Sequence, residues 1–202
     1  MARIWEEKIN GNPSTDKMTD ADLTIRIAKA TREHLPRVVA LMKGLAEFEK
    51  LLDEFRVTEA LLERYLFTRE PLAELLVGCL GEEIHGYALF FHNFSSFQGR
   101  PGIYIEDVYV EPCARGKGLG KALLVEVIRI ARARGFRRSE WIVLDWNQRA
   151  KHFYESLGAE ILSDWRLCRM DEIAMNRLLS GDCQEENKPT EGNGHATCLR
   201  LM

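Results

Sequence analysis

The chain has 202 residues, 46% of them apolar and 29% charged, with a formal net charge of -3. This suits one soluble globular domain with short tails, long enough to bury a sizeable core. It excludes a broadly basic nucleic-acid binder, and no apolar run approaches the roughly 18 residues of a membrane span.

Residues 1–21 are mixed polar, with Asn10-Gly11-Asn12-Pro13 in the middle, and read as a flexible leader. Arg3, Glu6, Glu7 and Lys8 break any apolar stretch of the kind a signal peptide needs. Residues 184–195 contain no apolar residue, and so bury too little surface to offset the entropy of ordering; residues 180–202 are expected to be a disordered tail. The folded body is predicted over 22–179. None of the five cysteines forms a Cys-x-x-Cys pair, which predicts reduced thiols and a cytoplasmic protein. His34, His85, His92 and His152 share no metal-ligand spacing, so no metal is expected. The sequon Asn93-Phe94-Ser95 reads as accidental in that setting.

Strands and helices alternate through the body. Residues 23–27 alternate like a strand. Thr31 is a candidate N-cap for a helix with Leu35, Val38, Val39, Met42, Leu45 and Ala46 on one face, and Thr58 for a shorter helix through Tyr65. Residues 75–80 and 84–91 read as a hairpin across Gly81. A loop at 94–99 and a strand at 103–110 follow. Then comes an amphipathic helix over 119–134, ended by Gly135. A short strand is predicted at 141–144, a helix from the Asn147 cap to Leu157, and a last strand at 161–170. The pattern predicts an α/β sandwich around a mixed sheet.

Arg115-Gly116-Lys117-Gly118-Leu119-Gly120 lies between a strand and that amphipathic helix. Alternate glycines let the backbone turn tightly and bring its amides close to a ligand. The helix start adds free N–H groups and the positive end of its dipole, and Arg115, Lys117 and Lys121 add charge. A Walker A loop is excluded, because Gly120-Lys121 is followed by Ala122. A dinucleotide fingerprint is excluded, because its last glycine position holds Lys121. By itself the segment is either a phosphate cradle or a glycine-rich turn with solvated charges.

With its flanks the segment resembles the pyrophosphate loop of the GNAT acetyltransferases. Those flanks are 105–110 (Ile-Glu-Asp-Val-Tyr-Val), 145–150 (Asp-Trp-Asn-Gln-Arg-Ala) and Phe153-Tyr154 followed by Gly158-Ala159. Gly44 to Leu51, the loop before Ile103 and Trp165-Arg166-Leu167 are similar to the diamine acetyltransferase branch, which includes spermidine/spermine, thialysine and ornithine acetyltransferases. The likeness spans about 23–170. It implies the GNAT fold: a mixed, mostly antiparallel sheet flanked by helices, with a splayed strand pair that admits acetyl-CoA. It implies that Val108, Tyr109 and Val110 pair with the pantetheine arm. Arg115, Gly116, Lys117, Gly118, Leu119, Gly120 and Lys121 would hold the pyrophosphate, and Asn147, Gln148 and Ala150 would touch the cofactor further along.

Acetyl transfer to an amine sets two proton problems. An alkylammonium, with a pKa near 10.4, must lose a proton before it attacks, and the leaving thiolate must gain one. Glu106 is the candidate for the first task and Tyr154 for the second, roles that the resemblance also implies. Asp107, next to Glu106, is expected on the opposite face of the sheet. Glu106 as a solvated strand charge and Tyr154 as a packing partner of Phe153 are the plainer readings. Phe48, Glu49, Glu106, Trp141 and Asp164 are candidate acceptor-binding residues. The stretch 160–164 is shorter than in spermidine/spermine enzymes, which opens diamines, ornithine and thialysine-like amines as acceptors. The resemblance further implies a small-molecule amine partner and a homodimer, with neither nucleic acid nor membrane. A protein N-acetyltransferase and a non-catalytic acyl-CoA-binding module are the competing functions.

Overall fold

A computed structural model describes residues 24–181, so the leader and nearly all of the tail lie outside the described residues. Five strands form one sheet in the order β1-β2-β3-β4-β5. They are β1 (Ile25–Lys29), β2 (Glu74–Leu80), β3 (Glu83–Ser95), β4 (Arg100–Val110) and β5 (Ser139–Glu140). The first three pairings are antiparallel and the last is parallel. The helices are α1 (Leu35–Glu49), α2 (Glu59–Leu66), α3 (Leu119–Ala133), α4 (Gln148–Ser156) and α5 (Glu172–Ser180). The described residues fall into two compact units divided between Leu144 and Asp145.

The first unit holds the sheet. One core joins Leu35, Val38, Leu41 and Met42 of α1 to Leu75, Val77, Tyr87 and Tyr109 of the strands. Leu119 and Leu123 of α3 pack against Gly78 of β2, where an added Cβ would come within 2.9 Å of Leu119. The α3 periodicity forces this arrangement: Leu119, Leu123, Leu124, Val127 and Ala131 share its buried face. Thr58 caps α2 as its sequence position predicts, its hydroxyl accepting from Leu61 N–H at 3.2 Å. Thr31 instead precedes a short 3-10 turn, Arg32–His34, and α1 begins at Leu35 with Pro36 in its first turn. The sequon residue Asn93 is committed inside the sheet, donating to Glu140 at 2.7 Å.

The first unit departs from expectation at the fifth strand. It is expected at 141–144 but lies at Ser139–Glu140 and is two residues long. It meets β4 only at Ile103↔Ser139 and Tyr104↔Glu140. The cause sits in β4. Leu89 faces Asp107 and Phe90 faces Ile105, so Glu106 is an extra residue, a bulge. A bulge bends the strand that carries it, and the parallel ladder to β5 ends where β4 bends.

The second unit carries α4, capped as predicted: Asn147 Oδ1 accepts from Ala150 N–H at 3.1 Å. The strand expected at 161–170 is not formed. Ser163 and Asp164 make a turn there, with Trp165 N–H donating to Leu162 O at 3.3 Å. An α-helix, α5, follows at the end of the predicted body; Asp171 caps it by accepting from Ala174 N–H at 2.7 Å.

Candidate active site

The glycine loop is built on backbone geometry. Gly116 has φ 81° and Gly118 φ 88°, both in the left-handed region. Gly118 is the N-cap of α3, and the first helical bond runs from Ala122 N–H to Gly118 O at 3.0 Å. Helix geometry therefore leaves the N–H groups of Leu119, Gly120 and Lys121 without an intrahelical acceptor. A Cβ placed on Gly116 would meet no atom within 4 Å, so the loop opens onto free space. Lys117 and Lys121 are exposed beside it. This fits a pyrophosphate: backbone donors, a helix dipole and mobile cations around an open cradle.

Arg115 sits differently from its lysine neighbours. Its Nε donates to Val110 O at 2.8 Å, and its guanidinium lies over the Phe48 ring at 5.0 Å and the Tyr109 ring at 5.6 Å. It fastens the start of the loop to the end of β4 and to α1. Tyr109 is itself a core residue, with its ring against Tyr87 at 6.2 Å. Gly44 of α1 makes room for it: a Cβ there would lie 2.8 Å from the Tyr109 hydroxyl.

Beyond Tyr104, β4 has no partner on its β5 side among the described residues. Val108, Tyr109 and Val110 lie on this stretch and pair with β3 on the other side. Such an open edge offers main-chain donors and acceptors to an extended, amide-bearing ligand. Trp141 is half-buried just after β5.

Glu106, at the bulge, is exposed, whereas Asp107 is half-buried and accepts from Tyr87 Oη at 2.9 Å. Burial pushes the Asp107 carboxyl up to about 6, with Glu106 and Glu49 adding to the rise and the Tyr87 hydrogen bond opposing it. Burial likewise raises Glu49, at the C-terminal end of α1 beside Phe48. Glu49, Glu106 and Asp107 thus form one electrostatic group. Sequence reasoning set Asp107 aside. The available signal was Tyr87, a phenol on a buried strand that needs a partner for its hydroxyl.

The Asp107 shift has a stability consequence. Below about 3.8 the carboxyl is protonated whether folded or unfolded, and between 3.8 and about 6 only the folded chain holds the proton. Across that window this group's contribution falls as pH rises, and above about 6, where both states are ionised, the loss is complete and the folded state carries a disfavoured charge. The gap corresponds to at most about 3 kcal/mol. Asp107→Asn should therefore gain stability relative to wild type on going from pH 5 to pH 8. Urea unfolding at both values checks this, and a difference that does not change with pH would contradict it.

In the second unit, Tyr154 is half-buried on α4, with its ring 5.4 Å from that of Phe153. Gln148 Nε2 donates to Asp145 O at 2.9 Å, and the Ala150 N–H is held by the Asn147 cap. Asp164 is exposed and accepts from Ser163 Oγ at 3.3 Å.

A mixed sheet with an open strand edge leading into a glycine loop at a helix start fits an extended, amide-bearing ligand that ends in a pyrophosphate, as an acyl-CoA does. The chain matches the acetyltransferase (GNAT) family over residues 41–159. It is 33% identical to thialysine N-epsilon-acetyltransferase of Bos taurus over 165 residues, covering 76% of this chain and 96% of that protein. It is 32% identical to L-ornithine N5-acetyltransferase of Arabidopsis thaliana, covering 76% of this chain and 87% of that one. In fold it is similar to an aminoglycoside acetyltransferase from an uncultured soil sample, with a TM-score of 0.63 and 18% identity over 75% of this chain and all (100%) of that chain. The chain belongs to the GNAT acetyltransferase family. It is an N-acetyltransferase, and acetyl-CoA is its co-substrate.

Proposed function

We propose that the enzyme acetylates a primary amine of a short aliphatic diamine, polyamine or diamino acid by direct transfer from acetyl-CoA. The observation that carries this reading is the grouping of Glu49, Glu106 and Asp107 around the bulge of β4, with Phe48 beside Glu49. Carboxylates concentrate a cationic acceptor and hold its distal ammonium, and an aromatic ring can lie along its methylene stem. The relatives named for thialysine and ornithine acetylation support the same class of acceptor.

Acetyl-CoA supplies an activated acyl thioester. Glu106, exposed at the bulge, takes a proton from the acceptor's ammonium, directly or through water, so that the neutral amine attacks. Tyr154 is our candidate donor of a proton to the leaving thiolate, and Trp141 and Asp164, each in its own unit, are candidate acceptor-binding residues. We place the reaction in the cytoplasm, supported by the free thiols of Cys79, Cys113 and Cys168. Among the described residues no helix is long and apolar enough to cross a membrane. We assign a homodimer, supported by Leu162, Trp165, Leu167 and Met170, all exposed in the segment expected to be a strand. A second copy of the chain would supply the partner that this segment lacks.

The test is a comparison of acceptors by thiol release. Ornithine or 1,3-diaminopropane should exceed butylamine in kcat/KM by roughly ten- to hundredfold, the worth of one charge-assisted hydrogen bond. The preference should shrink in Glu49→Gln and as salt rises. Butylamine acetylated as efficiently as the diamines would overturn the second-charge reading. A peptide amine that outperforms both would point to protein acetylation.

A further inference from the structure

His85, Glu111 and Cys113 converge outside the glycine loop and the carboxylate group at the bulge. Each offers one ligand atom, and these atoms lie within 4.8 Å of one another. His85 and Glu111 are half-buried, and Cys113 is exposed. The three come from different places in the fold: the start of β3, the residue after β4, and the short 3-10 turn Pro112–Ala114. No spacing along the chain announces them.

The framework under these side chains is fixed. Glu111 N–H donates to His85 O at 3.0 Å, which holds the two backbones side by side. Pro112 fixes the turn that presents Cys113, and Ala114 N–H closes it on Glu111 O at 3.0 Å. The His85 Nδ1 already contacts the Glu111 carboxylate. On its other side, His85 Nε2 is 3.4 Å from Glu83 Oε2. His85 thus stands between two carboxylates, Glu111 at Nδ1 and Glu83 near Nε2. Arg37 completes the surroundings, pairing with Glu111 while its Nε donates to Ile84 O at 2.8 Å. Its guanidinium orients the carboxylate and competes with an incoming cation for it.

We propose that His85, Glu111 and Cys113 form a binding site for a divalent transition metal, with zinc as the best fit. An imidazole nitrogen and a thiolate, borderline and soft donors beside one hard carboxylate oxygen, disfavour magnesium and calcium. Zinc takes such a set with bonds of about 2.0–2.3 Å and leaves a fourth position for water. Binding would exchange the direct His85–Glu111 contact for one bond from each to the ion, with the exposed Cys113 thiolate as the third ligand. The metal would tie β3 to the segment that enters the glycine loop, since Cys113 stands two residues before Arg115.

The experiment uses the full chain, stripped with chelator and kept reduced. Zinc is titrated by calorimetry, and cobalt(II) is added as a spectroscopic probe. Wild type should bind one zinc and show a thiolate-to-cobalt charge-transfer band. Cys113→Ser, at an exposed position, should lose the band and weaken zinc binding by at least about tenfold. A variant with Cys168, Cys183 and Cys198 all replaced by serine should keep both properties. His85→Gln, checked for folding by circular dichroism, should weaken zinc binding as Cys113→Ser does. The proposal is overturned if wild type shows no such band, if Cys113→Ser retains it, or if it is lost from the triple-serine variant instead.

Discussion

Replacing Tyr154 with phenylalanine is expected to lower kcat by about 10²–10⁴-fold while leaving acetyl-CoA affinity nearly unchanged. The CoA thiolate leaves as an anion that must be neutralised, and a phenol is a suitable donor for that proton. The substitution removes one oxygen and leaves the ring, so the packing against Phe153 survives. Backbone bonds also tie α4 at this residue, Leu157 N–H and Ala159 N–H both donating to Tyr154 O, at 3.0 and 3.1 Å. Loss of the hydroxyl leaves these intact, so lost turnover would report the proton and not the fold. Wild-type kcat in the phenylalanine variant would make Tyr154 a packing residue and send the search for the acid elsewhere. Measuring kcat at saturating amine, with CoA affinity by calorimetry, separates the two outcomes.

Gly118→Asp is expected to weaken CoA binding by at least tenfold, about 1.4 kcal/mol. Two effects add. At φ 88° a side chain strains the backbone that starts α3. The space itself is not the obstacle, since a Cβ there would meet only Ile25 at 3.5 Å. The second effect is charge: a carboxylate would stand among the donors of Leu119, Gly120 and Lys121, where the pyrophosphate is to be held. Gly118→Ala separates the two, because it brings the strain without the charge. CoA binding by Gly118→Asp equal to that of wild type would remove the loop from the cofactor site.

What the sequence made legible was local. The α3 stripe of Leu119, Leu123 and Val127 needs only a 3.6-residue period. The caps at Thr58 and Asn147 need only a side chain and an amide three residues on. The glycine loop is likewise one contiguous segment. The misplaced pieces depend on partners far away in the chain. Residues 161–170 carry apolar side chains such as Ile161, Leu162, Trp165 and Leu167, but a strand needs a ladder, and the Ser163-Asp164 turn prevails where none is offered. The shift of β5 to Ser139–Glu140 follows from a bulge at Glu106, and bulges leave no reliable mark in composition. Asp107 was obscured for the same reason. Its elevated pKa arises from burial together with Glu106 and Glu49, and Glu49 belongs to a distant helix. For Glu106, Tyr154 and the acceptor residues, chemistry named the candidates, and the kinetic tests above decide their roles.

The strand order carries a consequence for how the chain assembles. β2, β3 and β4 are consecutive in the chain and adjacent in the sheet, joined by two tight turns at 81–82 and 96–99. Such a meander closes through short loops, which form within microseconds, and β1 joins it across α1 and α2. β5 must wait until α3 has been made, because a parallel neighbour requires a crossover. During synthesis, then, four strands can be in place on the ribosome before the fifth emerges. The slot beside β4 is the last feature to appear, closed at one end by a pairing only two residues long. A nascent chain halted before Ser139 would carry a nearly complete sheet with no β5 beside β4.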